Sequence, residues 1–191
     1  FAEDESIKLP EKFLTRHLAI SGQTGTGKST ILRRFVSYVR KKKQKAIIID
    51  INGELSKLFK RDNDVVLSLF DKRSRKWNFS CEKGITPATF ASFLVPEQGD
   101  NNAFWWKGAR SIVESLLEQE QDPNKLYDLI QDKDKIKESL SGFSRAILGD
   151  KADSQADGLI ASAILDLNFL KYLSNHSQAE LFSLTDWVSD E

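Results

Sequence analysis

Residues 22–29 read Gly-Gln-Thr-Gly-Thr-Gly-Lys-Ser and fit the phosphate-loop pattern G-x-x-x-x-G-K-[ST] at every fixed position. The apolar residues 18–20 come just before this stretch, as a buried strand does. After it, apolar residues recur with helical spacing from Ile31 to Val39. A strand before the loop and a helix after it form the setting in which the pattern marks a phosphate-binding site. The sequence therefore predicts a nucleotide site at residues 22–29.

The residue types of this loop suit ATP with Mg²⁺. Glycines let backbone N–H groups approach phosphate oxygens, and the positive end of the following helix adds to the anion site. We predict that Lys28 reaches the β- and γ-phosphates of ATP and that the Ser29 hydroxyl is a Mg²⁺ ligand. A glycine-rich turn that only caps a helix is the alternative. The predicted nucleotide-binding residues are Gly22, Gln23, Thr24, Gly25, Thr26, Gly27, Lys28, Ser29 and Thr30.

A second apolar run, residues 46–50, reads Ala-Ile-Ile-Ile-Asp and predicts a buried strand of a parallel sheet. Strand, helix and strand follow one another as in a right-handed βαβ unit, and residues 65–69 predict a third short strand. Asp50 stands at the carboxyl end of its strand, the edge where α/β sheets bind ligands. Asp50 or Glu54 is a candidate catalytic acid facing the phosphates, with strand capping and turn formation as the alternative roles.

The overall composition selects no partner by charge, because 28 basic and 28 acidic residues cancel. The local basic run 40–45 is interpreted either as a solvated helix end or as a patch that contacts DNA. Cys81 is the single cysteine, which favours a reducing cytosol, and no apolar run approaches the roughly 18 residues of a membrane span. Residues 1–15 predict a short edge strand or turn.

From Pro87 onward the sequence predicts a compact helical subdomain inserted after the first sheet strands. Trp105 and Trp106 are interpreted as core packing at a helix start or as a base-stacking pair. The chain then returns toward the sheet at residues 182–187. The predicted helices are residues 88–94, 103–120, 124–131, 134–148 and 154–174, and the predicted domains are residues 1–86, 87–178 and 179–191.

Taken together, these residues resemble the type IV secretion coupling proteins, the TraD/TrwB-like conjugation ATPases. The similarity runs in order along nearly the whole chain. The matching residues are Arg16-His17-Leu18, the loop 22–29, Asp50-Ile-Asn-Gly-Glu54, Asp71-Lys-Arg73, Trp77-Asn78, Glu82, Leu94-Val-Pro96, Phe104-Trp105 and Phe182-Ser-Leu-Thr-Asp-Trp187.

The resemblance implies an α/β fold: a partial P-loop, RecA-like nucleotide-binding domain that carries an inserted all-α subdomain. It implies a homo-hexameric ATPase at the cytoplasmic face of the bacterial inner membrane, which moves relaxase-bound DNA or an effector protein to the secretion channel together with other secretion components. In this family the membrane is reached through N-terminal helices that this chain does not contain. On that pattern Lys28 and Ser29 bind ATP and Mg²⁺, and Glu54 orients the attacking water.

Some features of the family are absent from these 191 residues. We find neither the later strand ending in Asp-Glu, which organises Mg²⁺, nor an identifiable arginine finger. An FtsK-like or HerA-like DNA translocase is one alternative interpretation. A cargo-docking module, in which the nucleotide-binding half is only a scaffold, is another.

Overall fold

The computed structural model describes residues 16–99, 103–149, 153–173 and 180–190. The chain divides into two compact units, Phe1–Asp62 and Asn63–Glu191, which we call the N-terminal unit and the helical unit. The edge strand or turn predicted within residues 1–15 lies outside the described residues. The domain boundaries predicted from the sequence stay a prediction. In the described ranges, no helix has both the length and the hydropathy that crossing a bilayer requires.

In its described residues, 16–62, the N-terminal unit contains the helices α1 (Lys28–Lys41) and α2 (Glu54–Phe59). The helix predicted after the loop is confirmed. The chain leaves α1 through Lys43, whose φ of 55° is left-handed. The N–H groups of Lys43 and Gln44 donate to the carbonyls of Arg40 and Val39, both at 3.1 Å. Hydrogen bonds of this kind satisfy the last carbonyls of a helix, and glycine is the usual residue at the left-handed position.

No β-strand forms among the described residues, so the predicted sheet of residues 18–20, 46–50 and 65–69 is not seen. The α/β class expected from the resemblance is therefore not confirmed by the secondary structure. The physical reason is pairing, since a strand persists only where neighbouring strands take up its N–H and C=O groups and cover its side chains. Ile47 and Ile49 are instead 63% and 87% exposed.

Four of the described α-helices in the helical unit begin at side chains that accept backbone N–H groups. Thr86 accepts from Thr89, Asp132 from Asp134, and Ser183 from Asp186, as expected of N-cap residues. Its helices are α3 (Pro87–Leu94), α4 (Ala103–Gln119), α5 (Pro123–Ile130), α6 (Lys133–Ser139), α7 (Gly142–Gly149), α8 (Asp153–Leu167), α9 (Leu170–Leu173) and α10 (Leu184–Ser189).

Helix α4 is the centre of the core and packs against α3, α6, α7 and α8. Trp106 is buried and Trp105 is half-exposed, so core packing is confirmed for Trp106. Gly108 permits the close approach of α8, because a Cβ at this position would lie 2.6 Å from Cδ2 of Leu159. The largest fully buried side chains are Ile112, Leu116, Leu117, Leu126, Ile130, Ile136, Leu159, Ile160, Leu167, Leu170, Val95 and Val113.

Two predicted helices are each divided in the structure. The predicted helix 134–148 is wrong as a single element, because α6 ends at an extended Leu140 and Gly142 has a left-handed φ of 53°. The predicted helix 154–174 is interrupted by a turn at residues 168–169 between α8 and α9. The shorter helices pack on different neighbours: α6 on α4 and α5, α7 on α4 and α8, and α9 on α5.

The two ends of the helical unit are joined by what we call the closure, residues 75–83 together with residues 180–190. Lys76 and Leu181 form an isolated parallel bridge. The N–H of Lys76 donates to the carbonyl of Glu180 at 3.0 Å, and the N–H of Phe182 donates to the carbonyl of Lys76 at 2.9 Å. Arg75 also forms an ion pair with Glu180.

Glu82 is the centre of the closure. Its buried carboxylate accepts the indole N–H of Trp77 at 2.7 Å, the backbone N–H groups of Leu184 and Thr185 at 2.9 and 2.8 Å, and the Thr185 hydroxyl. Burial raises the pKa of Glu82, but these hydrogen bonds outweigh it and lower the pKa to about 2. The carboxylate is therefore charged at neutral pH and holds the first turn of α10 in place.

Candidate functional site

The loop at residues 22–29 has a backbone that depends on its glycines. Gly25 and Gly27 have φ values of 86° and 89°, in the left-handed region that other residues rarely adopt. Gly22 is restricted by space, because a Cβ there would lie 2.7 Å from Oγ1 of Thr26. The loop is closed by Thr26, whose Oγ1 donates to the carbonyl of Gln23 at 2.8 Å. The pattern read from the sequence therefore forms a compact turn.

Lys28 folds back across this turn. Its Nζ donates to the carbonyls of Gly22 and Gln23, both at 2.6 Å. The ammonium group is thus held over the loop by two neutral acceptors. An incoming phosphate oxygen is a stronger, charge-assisted partner for an ammonium group than a carbonyl is. The ammonium group of Lys28 can therefore exchange its two carbonyl acceptors for phosphate oxygens.

The start of α1 also fits an anion. Gly27 is the N-cap and has no side chain that could accept the first N–H groups of the helix. The first N–H groups of a helix lack partners within it, and the helix dipole places partial positive charge there. The N–H groups of Ser29 and Thr30 belong to this first turn. Loop, ammonium group and helix start together match the charge and donor pattern of a phosphate group.

Asp50 is engaged in local structure. Its Oδ2 accepts the backbone N–H of Ser56 in α2 at 2.7 Å. This hydrogen bond is the main cause that lowers the pKa of Asp50 below its ordinary value. The carboxylate therefore fixes the start of α2, which is the turn-forming role named as the alternative to a catalytic one.

Glu54 is the first residue of α2 and forms an ion pair with Arg33 of α1. Arg33 lies one helical turn after Ser29, so this pair places the start of α2 beside the first turns of α1. Glu54 is thus on the same side of α1 as Arg33. Arg33 was not predicted as a site residue, and only its spacing of four residues from Ser29 could have indicated it.

Magnesium has one predicted protein ligand here, the Ser29 hydroxyl. Among the described residues no group of three or more His, Cys, Asp and Glu side chains could hold a metal ion. A serine hydroxyl is a hard oxygen donor, and Mg²⁺ commonly keeps waters and phosphate oxygens in its remaining positions. Ser29 therefore fits a Mg²⁺ ion that arrives with a nucleotide.

Comparisons with known proteins agree with the sequence motifs. A family model described as the type IV secretion-system coupling protein DNA-binding domain matches residues 4–191. Coupling protein TraD of Escherichia coli (strain K12) is 25% identical over 186 residues, which cover 91% of this chain and 26% of TraD. The chain thus spans about a quarter of the length of that curated relative.

Solved structures of a coupling protein share the fold. The bacterial conjugative coupling protein TrwBdeltaN70, in its unbound monoclinic form, gives a TM-score of 0.69 at 23% identity, over 88% of this chain and 42% of that chain. TrwB in complex with ADP and Mg²⁺ gives 0.70 at 23% identity, over 87% and 43% of the two chains. With the family model covering nearly every residue, these findings show that the chain belongs to the family of type IV secretion-system coupling protein DNA-binding domains.

Proposed function

We propose that this chain supplies the first part of an ATP-driven motor in a type IV secretion coupling protein. The motor recruits relaxase-bound DNA or an effector protein and moves it to the secretion channel. The observation that carries the proposal is the arrangement of the phosphate loop, in which Lys28 lies across the turn at the uncapped start of α1. The family match favours this function over an FtsK-like or HerA-like translocase.

The nucleotide is ATP with Mg²⁺. TrwB has been solved with ADP and Mg²⁺, with the non-hydrolysable ATP analogue ADPNP and with the GTP analogue GDPNP, which supports nucleotide binding by this chain. Residues 22–30 would cradle the phosphates, and Lys28 would exchange its two carbonyl acceptors for phosphate oxygens. Ser29 would hold Mg²⁺, which when bound offsets the negative charge of the phosphates.

The two acids have different parts in this proposal. Asp50 fixes the first turn of α2 through Ser56 and so positions Glu54. Glu54 orients the water that attacks the terminal phosphate, and its ion pair with Arg33 holds it beside α1 until that water is bound. Asp50 therefore acts as a positioning residue, and Glu54 is the residue that contacts the reacting water.

The assembled protein is a homo-hexamer at the cytoplasmic face of the bacterial inner membrane, where it meets other secretion components. Support comes from the coupling-protein family alone. Because the chain spans about a quarter of TraD, the membrane contacts and most subunit contacts are assigned to segments outside these 191 residues.

The test replaces Lys28 with Ala in the full-length protein. Removing an electrostatic contact to the reacting phosphates is expected to lower ATPase activity by roughly 100-fold or more. The heat of Mg-ATP binding in calorimetry is expected to disappear with it. Lys57→Ala, an exposed lysine of α2, is the matched control and should leave both unchanged. Undiminished hydrolysis by Lys28→Ala would refute the motor.

A cargo-docking module is the second candidate, and one observation favours it. All the buried core residues of the described chain lie in the helical unit, between Phe79 and Leu170. The helical unit thus has the packing of an independent binding domain. If residues 63–191 alone bind relaxase with the affinity of the full-length protein, while Lys28→Ala leaves transfer unchanged, the docking function stands in place of the motor.

A further inference from the structure

Charge is divided unequally between the two units, although it cancels over the whole chain. The N-terminal unit contains 14 lysines and arginines against 7 aspartates and glutamates. The helical unit contains 14 basic residues against 21 acidic ones. The two units therefore carry opposite net charges of equal size, which the total conceals. A polyanion is attracted to the first unit and repelled by the second.

The positive charge is densest where α1 ends. Five of the six residues from Arg40 to Lys45 are basic, and Lys41, Lys42, Lys43 and Lys45 are all exposed. Arg34, seven residues before Lys41, lies on the same face of the helix and is also exposed. We call Arg34 and residues 40–45 the basic end of α1. Its charges extend from α1 into the residues that follow the helix, rather than lying at one point, as contacts to successive phosphates require.

An aromatic ring lies among these cations. Tyr38 is between Arg34 and Lys41 on α1, and Nζ of Lys42 lies 5.8 Å from the centre of its ring. Basic side chains interleaved with an aromatic ring are typical of surfaces that bind nucleic acid. The backbone adds a further observation, because Lys43 holds a left-handed conformation that glycine adopts at lower cost. A lysine at this position supplies a charge that glycine cannot.

In the helical unit, the lysines of α6 lie beside carboxylates. Lys133 and Lys137 both face Asp157, at 3.2 and 4.0 Å, and Lys135 faces Asp132 at 3.9 Å. Together with the net negative charge of the helical unit, these acidic neighbours make α6 a poor surface for phosphates.

We propose that the basic end of α1, and not the helical unit, contacts the phosphate backbone of the transported DNA. The inference rests on the proposed function only in taking DNA as cargo. Backbone contacts carry no sequence information, which suits a carrier that must hold any sequence it moves. Because α1 begins at the phosphate loop and ends at this surface, one continuous helix of 14 residues joins the nucleotide site to the DNA contact.

The test compares two triple variants of the full-length protein. Lys41→Gln, Lys43→Gln and Lys45→Gln remove three charges from the basic end of α1. The matched control, Lys133→Gln, Lys135→Gln and Lys137→Gln, removes three from α6. Binding of a fluorescein-labelled 30-nucleotide single strand of mixed sequence is titrated at several NaCl concentrations. Each lost phosphate contact lowers the slope of log K against log [salt] by about 0.7, so the first variant should lose about 2.

The control should keep the wild-type slope. Equal slopes for wild type and the first variant, or a larger loss in the control, would overturn the proposal. Loss of binding to phosphatidylglycerol vesicles with DNA binding intact would also overturn it, since the surface would then be a membrane contact. Basal ATPase without DNA is measured in parallel and should be unchanged in both variants. Failure of the motor, tested by Lys28→Ala, is therefore distinguishable from failure of this surface.

Discussion

The N-terminal unit and the helical unit place their apolar side chains in opposite ways. In the helical unit, helices pack against one another, several of them distant in sequence, such as α4 with α8, and bury residues such as Leu117 completely. In the described part of the N-terminal unit no residue is buried, and its isoleucines between residues 47 and 51 are exposed. The described part of the N-terminal unit contains the phosphate-loop motif but no buried residues, whereas the helical unit contains the hydrophobic core.

The difference shows which backbone hydrogen bonds a segment of chain can form within itself. A helix satisfies its own backbone hydrogen bonds and needs only one apolar face covered, and the other helices of the unit cover that face. A strand depends on partners that are distant in sequence. The described residues provide those partners for the helices and not for the segments predicted as strands. Three pairs of variants test how far this contrast holds.

The largest effect is expected from Leu117→Ala set against Ile49→Ala. Leu117 is 0% exposed, and its truncation should destabilise the helical unit by about 3 kcal/mol through lost burial and a cavity. Ile49 should show almost no cost in the same chain. All four tryptophans lie in the helical unit, so their fluorescence during urea unfolding reports on it. Hydrogen exchange of the α1 and α2 amides reports on the N-terminal unit, and clearly faster exchange there in Ile49→Ala would show that this unit has a core after all.

A smaller loss is expected at the closure. Glu82→Gln removes the charge that receives the hydrogen bonds of Trp77, Leu184 and Thr185 and should cost roughly 2 kcal/mol, because hydrogen bonds to charged groups are the stronger ones. Asp186→Asn is the matched control, since the ion pair of Asp186 with Lys83 is exposed and worth at most about 1 kcal/mol. If both changes cost the same, Glu82 is not the centre of the closure.

The stability of the helical unit should depend on pH in a defined direction. The pKa of Glu82 is lowered from 4.5 to about 2 in the folded protein. A depressed pKa contributes stability that is complete above the unfolded value and is lost as pH falls toward the folded value. The stability of the helical unit should therefore decrease from about pH 4.5 toward pH 2 in wild type, and by less in Glu82→Gln. Parallel acid-unfolding curves would contradict this assignment.

The smallest expected effect is a gain in the stability of the end of α1. Lys43→Gly relieves a left-handed residue at the end of α1 and should stabilise that helix end by about 0.5–1 kcal/mol. Lys41→Gly, two residues earlier and still helical, should destabilise it by a similar amount. Hydrogen exchange of the α1 amides in the full-length protein measures both. Faster exchange in Lys43→Gly would show that the lysine is not strained.

Local signals in the sequence predicted most of the helices. Pro87 and Pro123 open α3 and α5, and the apolar spacing of residues 104–117 predicted α4. The division between α6 and α7 was missed, although Gly142 is a visible breaker, because its neighbours continue a helical pattern. Ser183 and Asp186 form the S-x-x-D signal of a helix start, which could have predicted α10.

Contacts between residues that are far apart in the sequence could not be predicted. Thr185 lies 103 residues after Glu82 in the sequence, and only the fold brings the carboxylate to this donor. These residues were noted through the family resemblance without a role, and the structure gives them one in the closure. At the loop, the residue types predicted the turn, whereas the resting partners of Lys28 and Glu54 could not be read from spacing. The roles predicted for Asp50 and Glu54 in catalysis stay predictions.

The parallel bridge between Lys76 and Leu181 has a consequence for how such a domain can change over evolution. The chain enters the helices at Lys76 and leaves them at Leu181, and these two points are adjacent. The residues between them are therefore attached to the rest of the chain at one place. Helices there can lengthen, shrink or be exchanged without shifting either point of attachment. Relatives with different cargo can therefore differ in the helices between these two points while the points of attachment stay unchanged.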